Sequence, residues 1–341
     1  MSSFGKIFKV TTFGESHGIG VGCIIENVPP LLQIKEEDIQ YQLNRRKPNQ
    51  NSLLSNRNEP DIVEIYSGVH NGVTLGTPVS LIVKNVDMKP NDYKDFSNIP
   101  RPGHADLTYL SKYGVKSSSG GGRSSARETV ARVAAGAVAE KYLKDKFNVE
   151  IVSWVNSIGD IEIPKSKEIL VELTNDNNLT KKQLDSMSSY DIFKLKDKEE
   201  SKIEMLLLNK HFKRIFYLIQ HASYEIDENY FEKEIDFSCA EFESDEKIII
   251  FNNTKFTYFE TINIRCPHPD TAVKMISKIM KIKSECDSIG GTVSCIIRNC
   301  PRSLGEPCFD KFEAELAKAM LSIPATKGFE IGSGFEGTKM K

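Results

Sequence analysis

Residues 117–143 read SSSGGGRSSARETVARVAAGAVAEKYL, which combines a glycine triplet, a helix start and a long apolar helix face. The triplet, 120–122, leads directly to Arg123. Ser125 and Glu128 follow with the spacing of a capping box, which predicts a helix N-terminus at this point. Apolar residues then recur at helical spacing, at Val130, Val133, Ala134, Ala137 and Val138. We therefore expect a core helix that starts beside a glycine-rich loop and packs closely through its small side chains.

The start of this helix is also a candidate anion site. A helix N-terminus presents unpaired backbone N–H groups and the positive end of a dipole. Arg127 lies one helical turn after Arg123, so both guanidinium groups can point the same way. We interpret the stretch as a phosphate-binding site. An ordinary glycine-rich loop before a core helix explains the same residues equally well.

Composition limits the classes of protein to consider. With 341 residues, 39% hydrophobic and 27% charged, the chain suits a globular protein of one large domain or two. A net charge of −2 excludes a globally basic nucleic-acid binder, so anion recognition must be local. The seven cysteines show no CxxC spacing, which indicates reduced thiols and no metal site. Neither a signal peptide nor a membrane span is recognisable, and we expect a cytoplasmic protein without membrane partners.

Two histidines lie in matching glycine-bounded turns. His17 belongs to FGESHG, 13–18, at the end of a predicted strand, and His104 belongs to RPGHAD, 101–106, at the start of a predicted helix. A single histidine is more often structural than catalytic, but two in rigid turns point to proton transfer. The other four have no such setting and are interpreted as ordinary residues: His70, His211, His221 and His268.

The rest of the sequence predicts strands and short helices. A predicted helix over 35–44 ends at the basic residues 45–47, which form either an anion site or a solvated surface cluster. Strands are predicted over 4–12, 21–28, 62–69, 79–83, 292–297 and 327–332, with 62–69 and 79–83 as an antiparallel pair. Two later helices are predicted to begin at Asp270 and, through the pair Asp310 and Glu313, near residue 310.

Residues 165–260 differ in character from both flanks. They are rich in lysine, glutamate, aspartate and asparagine, and no glycine occurs between Gly159 and Gly290. Such a composition offers only short amphipathic pieces. We interpret the segment as a surface insertion without chemistry of its own.

Many of these motifs occur together, and in the same order, in one enzyme family. The chain closely resembles chorismate synthase at FGESHG, RRKP, SGV-x-x-G-x-T-x-GTP, RPGHAD, KYG and GGGRSSARET, and again at DSIGG, LGEP-x-FD and KGFEIG. The resemblance implies an α+β fold, a β-α-β sandwich core with a large charged insertion. It divides the chain into an N-terminal core over 1–162, a family-atypical insertion over 163–264 and a second part of the core over 265–341.

The resemblance also implies an activity. The family converts 5-enolpyruvylshikimate-3-phosphate to chorismate and phosphate by a 1,4-anti elimination, the last step of the shikimate pathway. It uses reduced FMN, with NADPH as a source of electrons, and assembles as a homotetramer.

Matching positions carry over the family's roles. His17 becomes the acid near the departing phosphate, and His104 the acid that keeps the flavin suitably protonated. Arg123, Ser124, Ser125 and Arg46 are expected to bind the cofactor, and Arg45, Arg127 and Arg132 the substrate. Ser52 stands where the family often has a further arginine, which removes one expected anion contact.

Two departures from the family pattern support a different expectation. The insertion is similar to that of enlarged parasite forms, and the family's chain continues beyond Lys341 with motifs that complete the flavin site. We therefore expect a chain of residues 1–341 not to turn over. The alternative function is an inactive phosphometabolite-binding, flavin-binding or scaffold protein.

Overall fold

The computed structural model describes residues 2–48, 57–88, 99–118, 120–163, 241–243, 248–251, 254–257, 264–266 and 269–340. Most of the predicted insertion lies outside these residues, as do Ser52, His211, His221 and His268. The chain divides into two compact units, 1–49 with 56–150 and 297–341, and 50–55 with 151–296.

Thirteen strands and five α-helices are described. The strands are β1 Ser3–Phe4, β2 Lys9–Gly14, β3 Gly20–Glu26, β4 Val63–Ser67, β5 Val69–His70, β6 Val73–Thr74, β7 Val79–Lys84, β8 Glu150–Ile158, β9 Ile161–Glu162, β10 Glu241–Glu243, β11 Ile248–Phe251, β12 Thr254–Thr257 and β13 Gly291–Arg298. The helices are α1 Glu36–Arg46, α2 Asp106–Tyr113, α3 Thr129–Phe147, α4 Pro269–Ser284 and α5 Phe312–Leu321.

A five-stranded sheet forms the centre of the first unit. Its order is β1-β2-β3-β7-β4 and every neighbouring pair is antiparallel, including the predicted pair β4 and β7. Helix α3 packs on this sheet and α1 packs beside α3. The predicted apolar face of α3 is confirmed, since Val130, Ala134, Ala137 and Val138 are buried and Val133 packs against the same core. Burial beneath this helix raises the pKa of the Cys23 thiol to about 12.

The second unit has its own sheet and its own core. Strands β13, β8 and β9 form a three-stranded sheet in that order, and β10 to β12 form another. Helix α4 buries Ala272, Val273, Met275 and Ile276 against Ile264 and Cys266. Each unit thus combines sheet and helix, and the predicted α+β class is confirmed. None of the described helices is long and apolar enough to cross a membrane.

Several local predictions are wrong. The strand predicted over 4–12 is two strands, since Gly5 adopts φ +90° and the chain turns before β2. No strand forms over 327–332; the described chain leads instead into a 3₁₀ turn at Gly334–Lys339. Helix α4 already includes Pro269, so Asp270 lies in its first turn. Lys311 precedes α5, and the Asp310 carboxylate pairs with Lys6.

Candidate active site

The glycine triplet is the point at which two histidines and a carboxylate meet. A Cβ atom on Gly120 would lie 2.5 Å from Cδ2 of His17, and one on Gly121 would lie 2.9 Å from Cε1 and Nε2 of His104. One on Gly122 would lie 2.3 Å from Oε2 of Glu15. Protein side chains therefore occupy the space beside the triplet. The two imidazoles thus contact consecutive residues of one loop, whose Cα atoms are about 3.8 Å apart.

The turn that carries His17 is held from two sides. It connects β2 to β3, and the side chain of Asn85 donates to the carbonyl oxygens of Glu15 and Gly18 at 2.9 and 2.8 Å. The guanidinium group of Arg57 donates to the carbonyl oxygen of Ser16 at 2.8 Å. The backbone around His17 is therefore rigid.

His104 has a charged partner that sequence reasoning missed. Its Nδ1 lies 2.9 Å from Oδ1 of Asp106, which is only 3% exposed in the first turn of α2. Asp106 also accepts hydrogen bonds from Nε and Nη2 of Arg101 at 2.9 and 3.1 Å. The Arg101 guanidinium holds the pKa of Asp106 well below its usual range. The sequence contained one signal for this pairing, an acidic residue two positions after a candidate catalytic histidine.

Arg123 fastens the triplet to the end of β2. Its Nη1 donates to the carbonyl oxygen of Gly14 at 3.2 Å, and its Nη2 donates to the carbonyl oxygen of Thr12 at 3.1 Å. Ser124 Oγ donates to the carbonyl oxygen of Gly121 at 2.7 Å. Both side chains thus hold the loop in place.

The predicted capping box forms only in part. Ser125 Oγ accepts from the backbone N–H of Arg127 at 3.2 Å, as a cap should. Glu128 does not reach back to Ser125. Its carboxylate accepts from Thr12 and from Arg132, both at 2.8 Å, because these side chains offer donors in the folded protein.

The two arginines of the predicted anion site do not act together. Ser125 is extended between two 3₁₀ turns, so the helical spacing that would align Arg123 with Arg127 is interrupted. Arg127 is 3% exposed and its Nη1 pairs with the fully buried Asp61. The expectation of a shared direction is therefore wrong.

Arg127 belongs instead to a buried charge cluster, made of Arg46, Arg57, Glu59, Asp61 and Arg127. Arg46 Nη1 lies 3.1 Å from Oδ2 of Asp61, and Arg57 Nη2 lies 2.7 Å from Oε1 of Glu59. Burial lowers the pKa of Arg46, although Asp61 opposes the effect. These cations stabilise the core around two buried carboxylates.

Arg45 and Arg132 also have protein partners. Arg45 Nη1 donates to Oε1 of Gln42 at 2.8 Å. Arg132 joins Glu128 and donates to Ser322 Oγ at 2.6 Å. Neither residue lines the cleft beside the triplet.

An open cleft of about 440 Å³ lies beside the glycine triplet, in the size range of small-molecule sites. Arg123 and Ser124 are the predicted ligand-binding residues in its wall, while the two histidines contact Gly120 and Gly121 of the same wall. The full lining is Glu15, Gly18, Asp106, Tyr109, Tyr113, Val115, Lys116, Ser117, Ser118, Gly120, Gly121, Arg123 and Ser124. Across the described part of the chain, no group of side chains is arranged to hold a metal ion. The site thus offers two positioned imidazoles and fixed cations, which suits proton transfer at an anionic leaving group.

Known proteins resemble this chain along its length. A family model described as chorismate synthase matches residues 8–341. Chorismate synthase of Schizosaccharomyces pombe is 48% identical over 340 residues, covering 100% of this chain and 71% of the yeast protein. Chorismate synthase of Plasmodium falciparum is 43% identical over 356 residues, covering 100% of this chain and 66% of that protein. A crystal structure of chorismate synthase superposes with a TM-score of 0.58 at 26% identity, covering 97% of this chain and 71% of that one. The chain therefore belongs to the chorismate synthase family.

Proposed function

We propose that the protein converts 5-enolpyruvylshikimate-3-phosphate to chorismate and phosphate by a 1,4-anti elimination. The family is one of lyases in the shikimate pathway, and membership supports this reaction over a binding-only or scaffold role. The observation that carries the proposal is the placement of His17 and His104 against adjacent glycines beside a cleft that also contains Arg123.

The chemistry of the reaction matches these side chains. Departure of phosphate develops negative charge on oxygen, so a fixed cation and a proton donor lower the barrier. We assign His17 as the acid at the departing phosphate, because its turn is held rigidly. His104 holds or releases a proton on the cofactor side of the site. Arg45 and Arg132 remain proposed substrate ligands. Arg127, which is buried and paired with Asp61, is assigned a structural role instead.

The residues that line the cleft support a flat phosphorylated cofactor as its proposed ligand. Tyr109 and Tyr113 line the cleft with ring centroids 5.7 Å apart, and Lys116 and Arg123 supply positive charge beside the carboxyl groups of Glu15 and Asp106. We propose that Arg123 and Ser124, with Ser125 and Arg46 behind them, hold reduced FMN. When bound, reduced FMN supplies electron density to the reacting substrate and recovers it, so the reaction has no net redox change. NADPH is the proposed source of electrons for the flavin.

The location and assembly are further proposals. Five of the described cysteines, Cys23, Cys286, Cys295, Cys300 and Cys308, are free thiols, which suits a reducing cytoplasm. A homotetramer is supported by the family and by highly exposed apolar side chains, among them Ile19, Phe309 and Phe335. Light scattering of the purified protein measures the assembly.

An anaerobic assay with chemically reduced FMN tests the function. Membership of the family favours activity over the inactive alternative considered from the sequence, so we now expect chorismate from the wild-type protein. The kcat should be lower by about two to four orders of magnitude in His17→Ala and His104→Ala because proton transfer is lost. His70→Ala is the matched control, since His70 lies in the small β5–β6 hairpin, and it should keep normal turnover. Near-normal turnover in either active-site variant would reduce that histidine to a structural role.

A further inference from the structure

We propose that Asp106 is a positioning residue that keeps a hydrogen on Nδ1 of His104 and leaves Nε2, beside Gly121, as the nitrogen that gains and loses protons. The inference rests on the proposed function only for its catalytic consequence. It starts from the contact between a buried carboxylate and one nitrogen of the ring.

The carboxylate of Asp106 is held ionised and fixed in orientation. Arg101 donates to Oδ2 through Nε at 2.9 Å and through its backbone N–H at 3.2 Å, and to Oδ1 through Nη2 at 3.1 Å. The ammonium group of Lys116 lies 3.9 Å from Oδ2. An ionised carboxylate can only accept hydrogen bonds. Its oxygen 2.9 Å from Nδ1 therefore requires a hydrogen on that nitrogen.

Arg101 offers a competing assignment. Its Nη2 lies 3.1 Å from Nδ1 and 3.4 Å from Nε2, which offers Nδ1 as its hydrogen-bond acceptor. That assignment would set the Nδ1 lone pair against the carboxylate at the shorter distance of 2.9 Å. Nη2 already has an acceptor in Oδ1 of Asp106, which removes the need for the histidine. A hydrogen on Nδ1 gives the Asp106 carboxylate a donor and leaves Arg101 Nη2 with Oδ1 as its acceptor.

The ring is also fixed on its other side. Nε2 lies 2.9 Å from the position that a Cβ of Gly121 would occupy, and Gly121 lines the cleft. With Nδ1 bound to Asp106 in both charge states of the imidazole, Nε2 is the nitrogen that gains and loses a proton. A carboxylate that orients a catalytic imidazole is a recurring arrangement in proton-transfer enzymes.

The tautomer can be measured without substrate. The chain has six histidines, so ring-¹⁵N labelling gives six ring spectra, and His104→Gln assigns one of them. Magic-angle-spinning spectra of sedimented protein, recorded at a pH where the ring is neutral, should show hydrogen on Nδ1 of His104. Hydrogen on Nε2 in the wild-type protein would overturn the inference, whatever the variants do.

Asp106→Asn should reverse the tautomer. Oδ2 receives two donors from Arg101, so the amide NH₂ group is better accommodated at the Oδ1 side, where it donates to Nδ1 and moves the ring hydrogen to Nε2. We expect kcat to fall by about 10²- to 10⁴-fold while KM changes less than about threefold. Asp106→Glu, which keeps a carboxylate, should retain the Nδ1–H form and recover at least about tenfold of the lost kcat.

Glu64→Gln is the matched control, because Glu64 is a carboxylate of the same unit paired with Lys84 on the surface. It should change neither the ring spectrum nor turnover. An unchanged tautomer in a folded Asp106→Asn protein, or a loss of kcat that Asp106→Glu does not relieve, would contradict the positioning role. If the ring spectra behave as expected while wild-type protein forms no chorismate, the positioning role stands and the proposed function fails.

Discussion

At the scale of single residues, the glycine triplet shapes the site, because three residues without Cβ atoms leave room for neighbouring side chains. Gly120 and Gly122 have φ of +67° and +52°, so a larger residue would be strained there as well as crowded. Gly121 has an ordinary negative φ, and crowding, chiefly by His104 with Ser125 Cβ at 3.3 Å, excludes a side chain. This difference makes Gly121 the position at which the effect of contact can be separated from the effect of backbone strain.

Gly121→Ala should therefore displace the His104 ring without disturbing the loop backbone. We expect kcat to fall by about 10²-fold, as is typical of a misplacement of about 1 Å, with an unchanged unfolding midpoint. Gly136→Ala is the control, because Gly136 is exposed on α3 and an added Cβ meets nothing within 4 Å. It should leave kcat unchanged and raise the free energy of unfolding by up to about 1 kcal/mol. Equal kcat values for the two variants would show that the contact with His104 is unimportant.

At the scale of elements, the buried charge cluster joins parts of the first unit that are far apart in sequence. Arg46 comes from the last turn of α1, Asp61 lies just before β4, and Arg127 lies in the turn before α3. Arg46 also donates to the carbonyl oxygen of Ala126 at 3.2 Å. The cluster thus sets where α3 begins, and with it the position of the glycine triplet.

Arg127→Ala should destabilise the protein strongly, because it leaves Asp61 buried and only partly compensated. Removing one partner of a buried ion pair costs about 3–5 kcal/mol of unfolding free energy. Arg132→Ala is the comparison, since its ion pair with Glu128 is more exposed and should be worth less than about 1 kcal/mol. Urea denaturation followed by circular dichroism measures both values. A loss for Arg127→Ala no larger than that for Arg132→Ala would mean that Arg46 compensates the carboxylates alone.

At the scale of the whole molecule, the site is confined to one of the two units. Every residue that lines the cleft belongs to the unit of 1–49, 56–150 and 297–341. Replacement of residues 165–260 by a Gly/Ser linker should therefore preserve chorismate formation, because the lining residues lie elsewhere and a change in loop length alters the closure entropy little. Turnover and light scattering of the shortened protein test this. Loss of turnover with unchanged assembly would mean that the insertion reaches the site.

The amino-acid sequence alone determined those features that depend on neighbouring residues. The periodicity of 130–138 predicted the buried face of α3, and the sequence predicted strands at β3, β4 and β7 with the correct pairing of the last two. The histidine turns and the glycine triplet were recognisable because their residue types restrict the backbone locally. The family followed from the same motifs.

Only the tertiary structure decided which distant groups meet. The side chains of Arg127 and Asp61 are 66 positions apart, and those of Thr12 and Glu128 are 116 apart, so no local pattern could pair them. Because it pairs with Asp61, Arg127 is a buried structural cation. Because it pairs with Thr12 and Arg132, Glu128 does not form its predicted capping hydrogen bond. The pairing of His104 with Asp106 is close in sequence, yet it depends on Arg101 to keep the carboxylate charged and oriented. The physical reason is that a buried charge is tolerated only with a partner, and the folded chain alone determines which partner is within reach.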